Sequence, residues 1–281
     1  MNYLQTLKFG SDKLKYHNIN THILDSEILL SLTLNTSREK ILMNLDTNIK
    51  KNKFEKFKKL LSRREKKEPI AYITNKKEFW KNIFYVNSNV LIPRPETELI
   101  VEEVLKNTHI YSSKKFLEIG TGSGCLVVSI IKERPKCFAT AIDISRKALN
   151  IAKFNAKMHH LINKINFVNI DIDKIQFSKY DFIVSNPPYI KKFDLSRLDE
   201  SVKIFEPYIA FEGGIDGLRE INKLIIKSKK LLKKNGKLIF EIGHGQSLII
   251  KKILNKNGFF LNKVIKDISS IPRVMVSTKL I

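Results

Sequence analysis

The sequence predicts an α/β protein: an open, mostly parallel sheet with helices on both faces, preceded by a small helical domain and a β-hairpin. Three observations predict it. From Lys115 onward, short apolar runs ("KFLEIG", "FATAID", "INFVNI", "YDFIVS", "GKLIFEI") alternate with helical stretches such as 145–158 and 217–233, the pattern of strands joined by crossover helices. A glycine-rich turn, "GTGSG", follows the first of these runs and opens a helix. Residues 1–67 carry helical periodicity instead.

The elements follow in order. In "LDSEILLSL", Leu24, Ile28 and the Leu29/Leu32 pair recur at helical spacing. Thr36-Ser37-Arg38-Glu39 has capping-box spacing, with Thr36 as the expected N-cap. Phe54, Phe57, Leu60 and Leu61 form the apolar face of the next helix. These helices make a first domain, 1–68. In 69–92, β-branched and aromatic residues flank Asn75-Lys76-Lys77, which predicts a hairpin linker turning there. "PRPETE" then punctuates the chain and "LIVEEVL" opens a helix, the first of a domain spanning 93–281. At the far end "GFFLNKVIKD" and "RVMVSTKLI" supply two strands with no long helix between them, an antiparallel pair at one edge.

Composition narrows the function classes. No apolar run approaches the ~18–20 residues that span a bilayer, and the N-terminal stretch has no signal-peptide pattern, so a cytoplasmic protein is expected. Cys125 and Cys137 form no CxxC and no cluster with His, and read as small buried hydrophobes; no metal site is expected. His159-His160 reads as a solvated helix end. The net charge is +23, yet only nine of the 51 basic residues are Arg. The lysine excess fits A/T-rich codon usage, and it also fits an electrostatic preference for an acidic partner or RNA.

The chemistry is concentrated at two strand ends. In "LEIGTGSGC", Gly120, Gly122 and Gly124 let the backbone turn tightly and approach a ligand, and the helix that follows offers N–H groups to an anion. Asp143 ends the next strand, where a carboxylate can accept both ribose hydroxyls. An adenosine-bearing cofactor is implied. A dinucleotide fingerprint needs Gly at 125, where Cys125 stands; Glu118, two residues before the first Gly, looks instead like S-adenosylmethionine methyltransferases, where it would receive the cofactor's ammonium.

The second strand end carries "SNPPYI", 185–190. Two prolines cannot continue a central strand, so a stiff turn presents Asn186 and Tyr189. The lone pair of a planar NH₂ nitrogen is delocalised. Two acceptors, the Asn186 side-chain oxygen and the Pro187 carbonyl, can orient such a nitrogen and stabilise positive charge developing on it. Tyr189 can stack on the planar group and exclude water.

With "EPIAYI", "KKEFW", "VLIPRPETELIVEEVL", "FLEIGTGSGCLVVSI", "IVSNPPYI", "FEPYIAFEGGIDGL" and "FEIGHGQ", the chain resembles the release factor glutamine N5-methyltransferases (the HemK/PrmC family) over essentially its full length. The resemblance implies a class I S-adenosylmethionine-methyltransferase fold, Rossmann-like and seven-stranded with an antiparallel edge. It also implies methylation of the Gln side chain in the Gly-Gly-Gln motif of class-1 peptide chain release factors, by a monomer that needs no nucleic acid. It places Gly120, Thr121, Gly122, Ser123, Gly124, Asp143, Asp171, Ile172 and Asn186 on the cofactor, and Asn186, Pro187, Pro188 and Tyr189 on the glutamine, with 1–68 docking the substrate. Three positions depart from the family pattern: Asn75, Ile172 and the Ser270/Pro272 turn. The competing reading is a nucleic-acid amino-methyltransferase (adenine N6, cytosine N4 or guanine N2), which shares the Pro-Pro-aromatic turn and would explain the charge. Arg94 and Glu96 stand between fixed prolines, placed either to line the cofactor mouth or to pin a hinge.

Overall fold

The computed structural model describes residues 1–175 and 179–280. The chain divides into two compact units, Met1–Asn75 with Asp199–Phe205, and Lys76–Leu198 with the chain from Glu206 onward.

The first unit holds α1 (Tyr3–Tyr16), α2 (His22–Leu34), α3 (Arg38–Leu42), α4 (Lys51–Glu65) and α5 (Ile70–Thr74). Its core is Leu14, Leu29, Leu30, Ile41, Phe57, Leu61 and Ile73, the residues that the helical spacing brings onto inward faces. Asn2 and Gln5 close a capping box on α1. The N-cap of α3 is Ser37, whose hydroxyl accepts from the Lys40 N–H, and not Thr36 as the spacing suggested. Asn35 ends α2 in the left-handed region, and the chain reaches the extended backbone of an N-cap only at Ser37.

The segment 69–92 differs in detail from the expectation. Residues 70–74 are a helical turn, closed by Asn75 in the left-handed conformation that its short amide tolerates. The hairpin β1 (Lys76–Phe79) and β2 (Asn82–Tyr85) pairs Phe79 with Asn82, so its turn is Trp80-Lys81 and not Asn75-Lys76-Lys77. A tryptophan with φ of +55° is a poor sequence signal for a turn. It is held there by long-range bonds, its N–H to Glu98 (2.6 Å) and its indole to Glu133 (2.8 Å).

After α6 (Glu98–Asn107) the second unit alternates β3 (Lys115–Ile119), α7 (Cys125–Glu133), β4 (Phe138–Asp143), α8 (Arg146–Met158), β5 (Ile165–Asn169) and β6 (Tyr180–Ser185). The short α9 (Glu200–Phe205) belongs with the first unit, where Lys67 pairs with Glu200. Then come α10 (Arg219–Leu231), β7 (Leu232–Glu241), α11 (Ser247–Lys256), β8 (Phe259–Lys266) and β9 (Pro272–Lys279). The seven strands lie in the order β5-β4-β3-β6-β7-β9-β8. β9 is antiparallel to both neighbours, and the other pairings are parallel.

Two apolar layers sandwich the sheet. Phe116, Val184 and Ile239 join α6 and α7 in one; Leu117, Ile183, Leu238 and Phe240 join α10 and α11 in the other. The two-residue strand period therefore points Glu118 and Glu241 to the same side as Phe116 and Ile239. Strand order reverses between β3 and β6, and the crevice at their carboxyl ends is where open α/β sheets bind ligands. The loops that leave those two strands are the glycine turn and "NPPY".

Candidate active site

A cavity of about 370 Å³ opens at that reversal point. Gly120, Gly122, Asp143, Asp171, Ile172, Asn186, Pro187 and Pro188 line it, joined by Ile144, Ala148, Glu212, Arg219 and Leu224. Gly120 and Gly122 have φ of +72° and +54°, and a Cβ on either would project into open space. Bare backbone thus forms a cradle that a ligand can approach closely. Asp143, at the end of β4, accepts N–H bonds from Gly122 (2.9 Å) and Ser145 (2.8 Å), one on each oxygen. Each oxygen keeps a second lone pair for a hydroxyl. Burial pushes this carboxyl above its usual range against those two bonds. Asp171 caps the following turn through the Asp173 N–H, and Ile172 supplies apolar wall.

Other expected contacts lie behind the cavity. Glu118 is 1% exposed, facing α7, and its Oε2 accepts from the Thr121 hydroxyl (2.7 Å) and the Val127 N–H (3.2 Å). Thr121 and Ser123 are buried, Gly124 packs on Ala152, and none of the four lines the cavity. The helix start expected to offer free N–H groups to an anion already has the Glu118 carboxyl on the Val127 N–H. The acidic residues that line the cavity, Asp143, Asp171, Glu212 and Glu220, suit a cationic ligand better than a diphosphate.

Burial raises the Glu118 carboxyl to about 8, opposed by Thr121 and Val127 and reinforced by the Asp143 charge. Between the ordinary 4.5 and about 8 the fold keeps a proton that the unfolded chain has released, so stability falls as pH rises through that window. The slope is at most about 1.4 kcal/mol per pH unit. Glu118→Gln is expected to remove this slope, and urea unfolding of parent and variant at pH 5 and pH 8 measures it. A stability difference between the two proteins that is the same at both pH values would show that Glu118 is ionised in the fold.

At the other strand end, Asn186 donates its side-chain N–H to the Thr97 hydroxyl (3.0 Å). Thr97 donates to Glu241 Oε2 (2.6 Å), and the Tyr189 hydroxyl donates to Glu241 Oε1 (2.9 Å). Glu241 ends β7 and is 1% exposed. Burial pushes its carboxyl up, against the two hydroxyl donors and Arg273 and with Glu96. Tyr189 is half-buried and does not line the cavity; burial first, then the charge of Glu241, raises its hydroxyl far above the ordinary range. Gln246 donates to the Tyr189 carbonyl (3.0 Å) and the Gly217 carbonyl (3.2 Å), and accepts from the Gly243 N–H.

Thr97, Glu241, Gln246 and Gly217 were not singled out from the sequence. Their only signal was membership of "PRPETE", "FEIGHGQ" and "EGGIDG". Arg94 pairs with Glu206 (2.7 Å), whose other oxygen accepts the Ile92 N–H, and it lies away from the cavity. Of the two roles weighed for it, pinning the backbone is the one with contacts. Cys125 and Cys137 are buried. His159 ends α8 against Phe84 with a bond to the Ile83 carbonyl. Among the described residues no group of His, Cys, Asp and Glu is placed to hold a metal. Among the described residues no helix is long and apolar enough to cross a membrane.

Residues 5–74 match the family model of the PrmC N-terminal domain, and 95–201 that of the methyltransferase small domain. The release factor glutamine methyltransferase of Clostridium acetobutylicum is 35% identical, over 95% of this chain and 94% of its own length. The chain belongs to the release factor glutamine methyltransferase family. The family member of Caulobacter vibrioides is 33% identical, over 96% of this chain and 94% of its own. A bifunctional methyltransferase of Rickettsia felis is 36% identical over 97% of this chain, which spans only 57% of that protein's length. In solved structures, a methyltransferase from Pyrococcus furiosus superposes with a TM-score of 0.53 at 20% identity, over 70% of this chain and 89% of that one. The ribosomal protein L11 methylase of Lactobacillus delbrueckii subsp. bulgaricus gives 0.51 at 18%, over 67% and 81%. These likenesses show the fold, that of the class I methyltransferases.

Proposed function

We propose that the protein methylates the side-chain amide nitrogen of the Gln in the Gly-Gly-Gln motif of class-1 release factors, using S-adenosylmethionine. The observation that carries this reading is Asn186: it lines the cavity while its amide nitrogen is turned to Thr97. The atom left for a substrate is an oxygen, which suits an NH₂ group. Bound S-adenosylmethionine supplies an electrophilic methyl on a sulfonium. The chain's own residues fit it: a bare glycine cradle at Gly120 and Gly122, the Asp143 carboxylate for the ribose, Ile144, Ile172 and Leu224 as apolar walls, and carboxylates that suit its positive charge.

Asn186 Oδ1 and the Pro187 carbonyl accept the two amide hydrogens and point the nitrogen inward. As positive charge grows on that nitrogen both bonds strengthen, so they favour the transition state over the ground state. Tyr189, which stands behind the cavity and is tied to Glu241, and Pro188 stiffen the turn that carries both acceptors. The surplus proton leaves to water after transfer, so no side-chain base is required.

Asp143→Ala is expected to weaken S-adenosylmethionine binding by about 1.5–3 kcal/mol, the worth of hydrogen bonds to a charged group. Titration calorimetry on the folded variant measures it, and unchanged affinity would remove Asp143 from the ribose. The helical unit is assigned to gripping the release factor away from the reacting loop. Intact factor should then exceed a Gly-Gly-Gln peptide by about 10²-fold or more in kcat/KM. Transfer of tritium from labelled S-adenosylmethionine to a release factor, to its Gln→Ala variant and to DNA or rRNA tests the whole reading. Label confined to the unaltered factor supports it. Label in nucleic acid, or equal label in the Gln→Ala factor, overturns it.

A further inference from the structure

We infer that Thr97 and Glu241 are a positioning pair that sets the rotation of the Asn186 carboxamide, so that its oxygen is turned to the cavity and its NH₂ group to Thr97. The inference rests on the proposed reaction for its purpose, and on geometry for its content. A carboxamide has two faces of nearly equal shape and opposite hydrogen-bonding sense, and nothing local in "SNPPYI" chooses between them.

The choice is made by residues 89 and 55 positions away. Glu241 sits on the sheet face that meets the N-terminal end of α6, at 1% exposure, with both oxygens engaged by hydroxyl donors. Each of its oxygens accepts from one of those hydroxyls, which oppose the upward push of burial on the carboxyl. The single proton of Thr97 is therefore committed to Glu241 Oε2, leaving its oxygen lone pairs for Asn186. Only the NH₂ side of Asn186 can satisfy them, so Oδ1 turns to the cavity. The opposite rotation would set two acceptors, Asn186 Oδ1 and Thr97 Oγ1, against each other. Thr97 itself is 3% exposed, so water is not at hand to substitute for either partner. The same carboxylate holds the Tyr189 hydroxyl, and one buried group thus orients both polar ends of the turn. Neither Thr97 nor Glu241 lines the cavity, and neither touches the reacting atoms.

Thr97→Val keeps the side-chain shape and removes the hydroxyl; Thr97→Ser keeps the hydroxyl and trims a methyl. Thr97→Val is expected to lower kcat about 10–100-fold, with cofactor affinity and KM for the release factor within about twofold of the parent. Thr97→Ser is expected to stay within about threefold in kcat. A readout without any substrate comes from the carboxamide protons of Asn186, followed by nuclear magnetic resonance in protein labelled with ¹⁵N-asparagine and assigned with Asn186→Ala. Their exchange with water should be about tenfold faster in Thr97→Val than in the parent or in Thr97→Ser. Equal exchange in parent and Thr97→Val, or a loss of kcat in Thr97→Ser as deep as that in Thr97→Val, overturns the pair. A parent enzyme that leaves the release factor unlabelled overturns the reading of the reaction alone, and the exchange comparison still decides the positioning pair.

Discussion

Asn186→Ala is expected to lower kcat about 10²–10³-fold while KM for the release factor and affinity for S-adenosylmethionine stay near the parent values. The split follows from where the charge is. In the proposed reaction the amide nitrogen is only weakly positive in the ground state, so bonds from its hydrogens to Asn186 and Pro187 would be ordinary neutral ones. As the methyl arrives the nitrogen turns cationic, and the same bonds become charge-assisted and roughly twice as strong. Removing one acceptor therefore costs more in the transition state than in the complex. Asn186→Asp separates the two duties of the side chain. It keeps an acceptor toward the cavity but has no N–H for Thr97, whose own proton is held by Glu241. Partial recovery over the alanine variant is expected, short of the parent. Single-turnover rates with saturating release factor measure the effect directly. A variant that raised KM and left kcat alone would make Asn186 a ground-state binding group.

The parts of this protein written in local patterns were legible from the sequence. Apolar runs of five or six residues become β3 and β6 because a central strand buried on both faces needs no alternation. The glycine turn and "NPPY" fall at strand ends because glycine and proline end strands for reasons internal to those residues. What escaped depends on contacts that sequence distance hides. Glu118 was expected to face the ligand; the strand period turns it under α7, where it braces the loop. Glu241 reads as the end of an apolar strand, and only folding brings it to Thr97, 144 residues earlier. The hairpin turn was missed because Trp80 adopts a left-handed backbone that Glu98 and Glu133 hold in place. Departures from the family pattern stay local: Asn75 and Ser270 take the positive φ of their turns, and Ile172 remains cavity wall.

Gly217→Ala is expected to cost both stability and rate, and the two losses have separable causes. Gly217 has φ of +76°, a conformation that costs an L-residue about 1–2 kcal/mol. Its missing Cβ would also fall against the Tyr189 carbonyl oxygen and 2.7 Å from Gln246 Nε2. Neither is the free end of a flexible chain: the first is backbone, and Gln246 is tied at both ends of its amide. Relief requires moving the 188–189 backbone, an overpacking worth about 1–3 kcal/mol more. Gly258→Ala is the control, because Gly258 shares the backbone conformation (φ +79°) and meets nothing closer than Lys229 Nζ at 3.9 Å. Both variants should melt lower than the parent, Gly217→Ala by the larger amount. Only Gly217→Ala should lose kcat, by about 10²-fold if the turn shifts by an ångström, since acceptors placed for a transition state tolerate little displacement. Thermal melts and single-turnover rates on the two variants distinguish strain from displacement. If Gly217→Ala lost stability and kept its rate, the Pro187 carbonyl and Asn186 would hold their places without this strap, and the Thr97–Glu241 pair would be the main restraint on the turn.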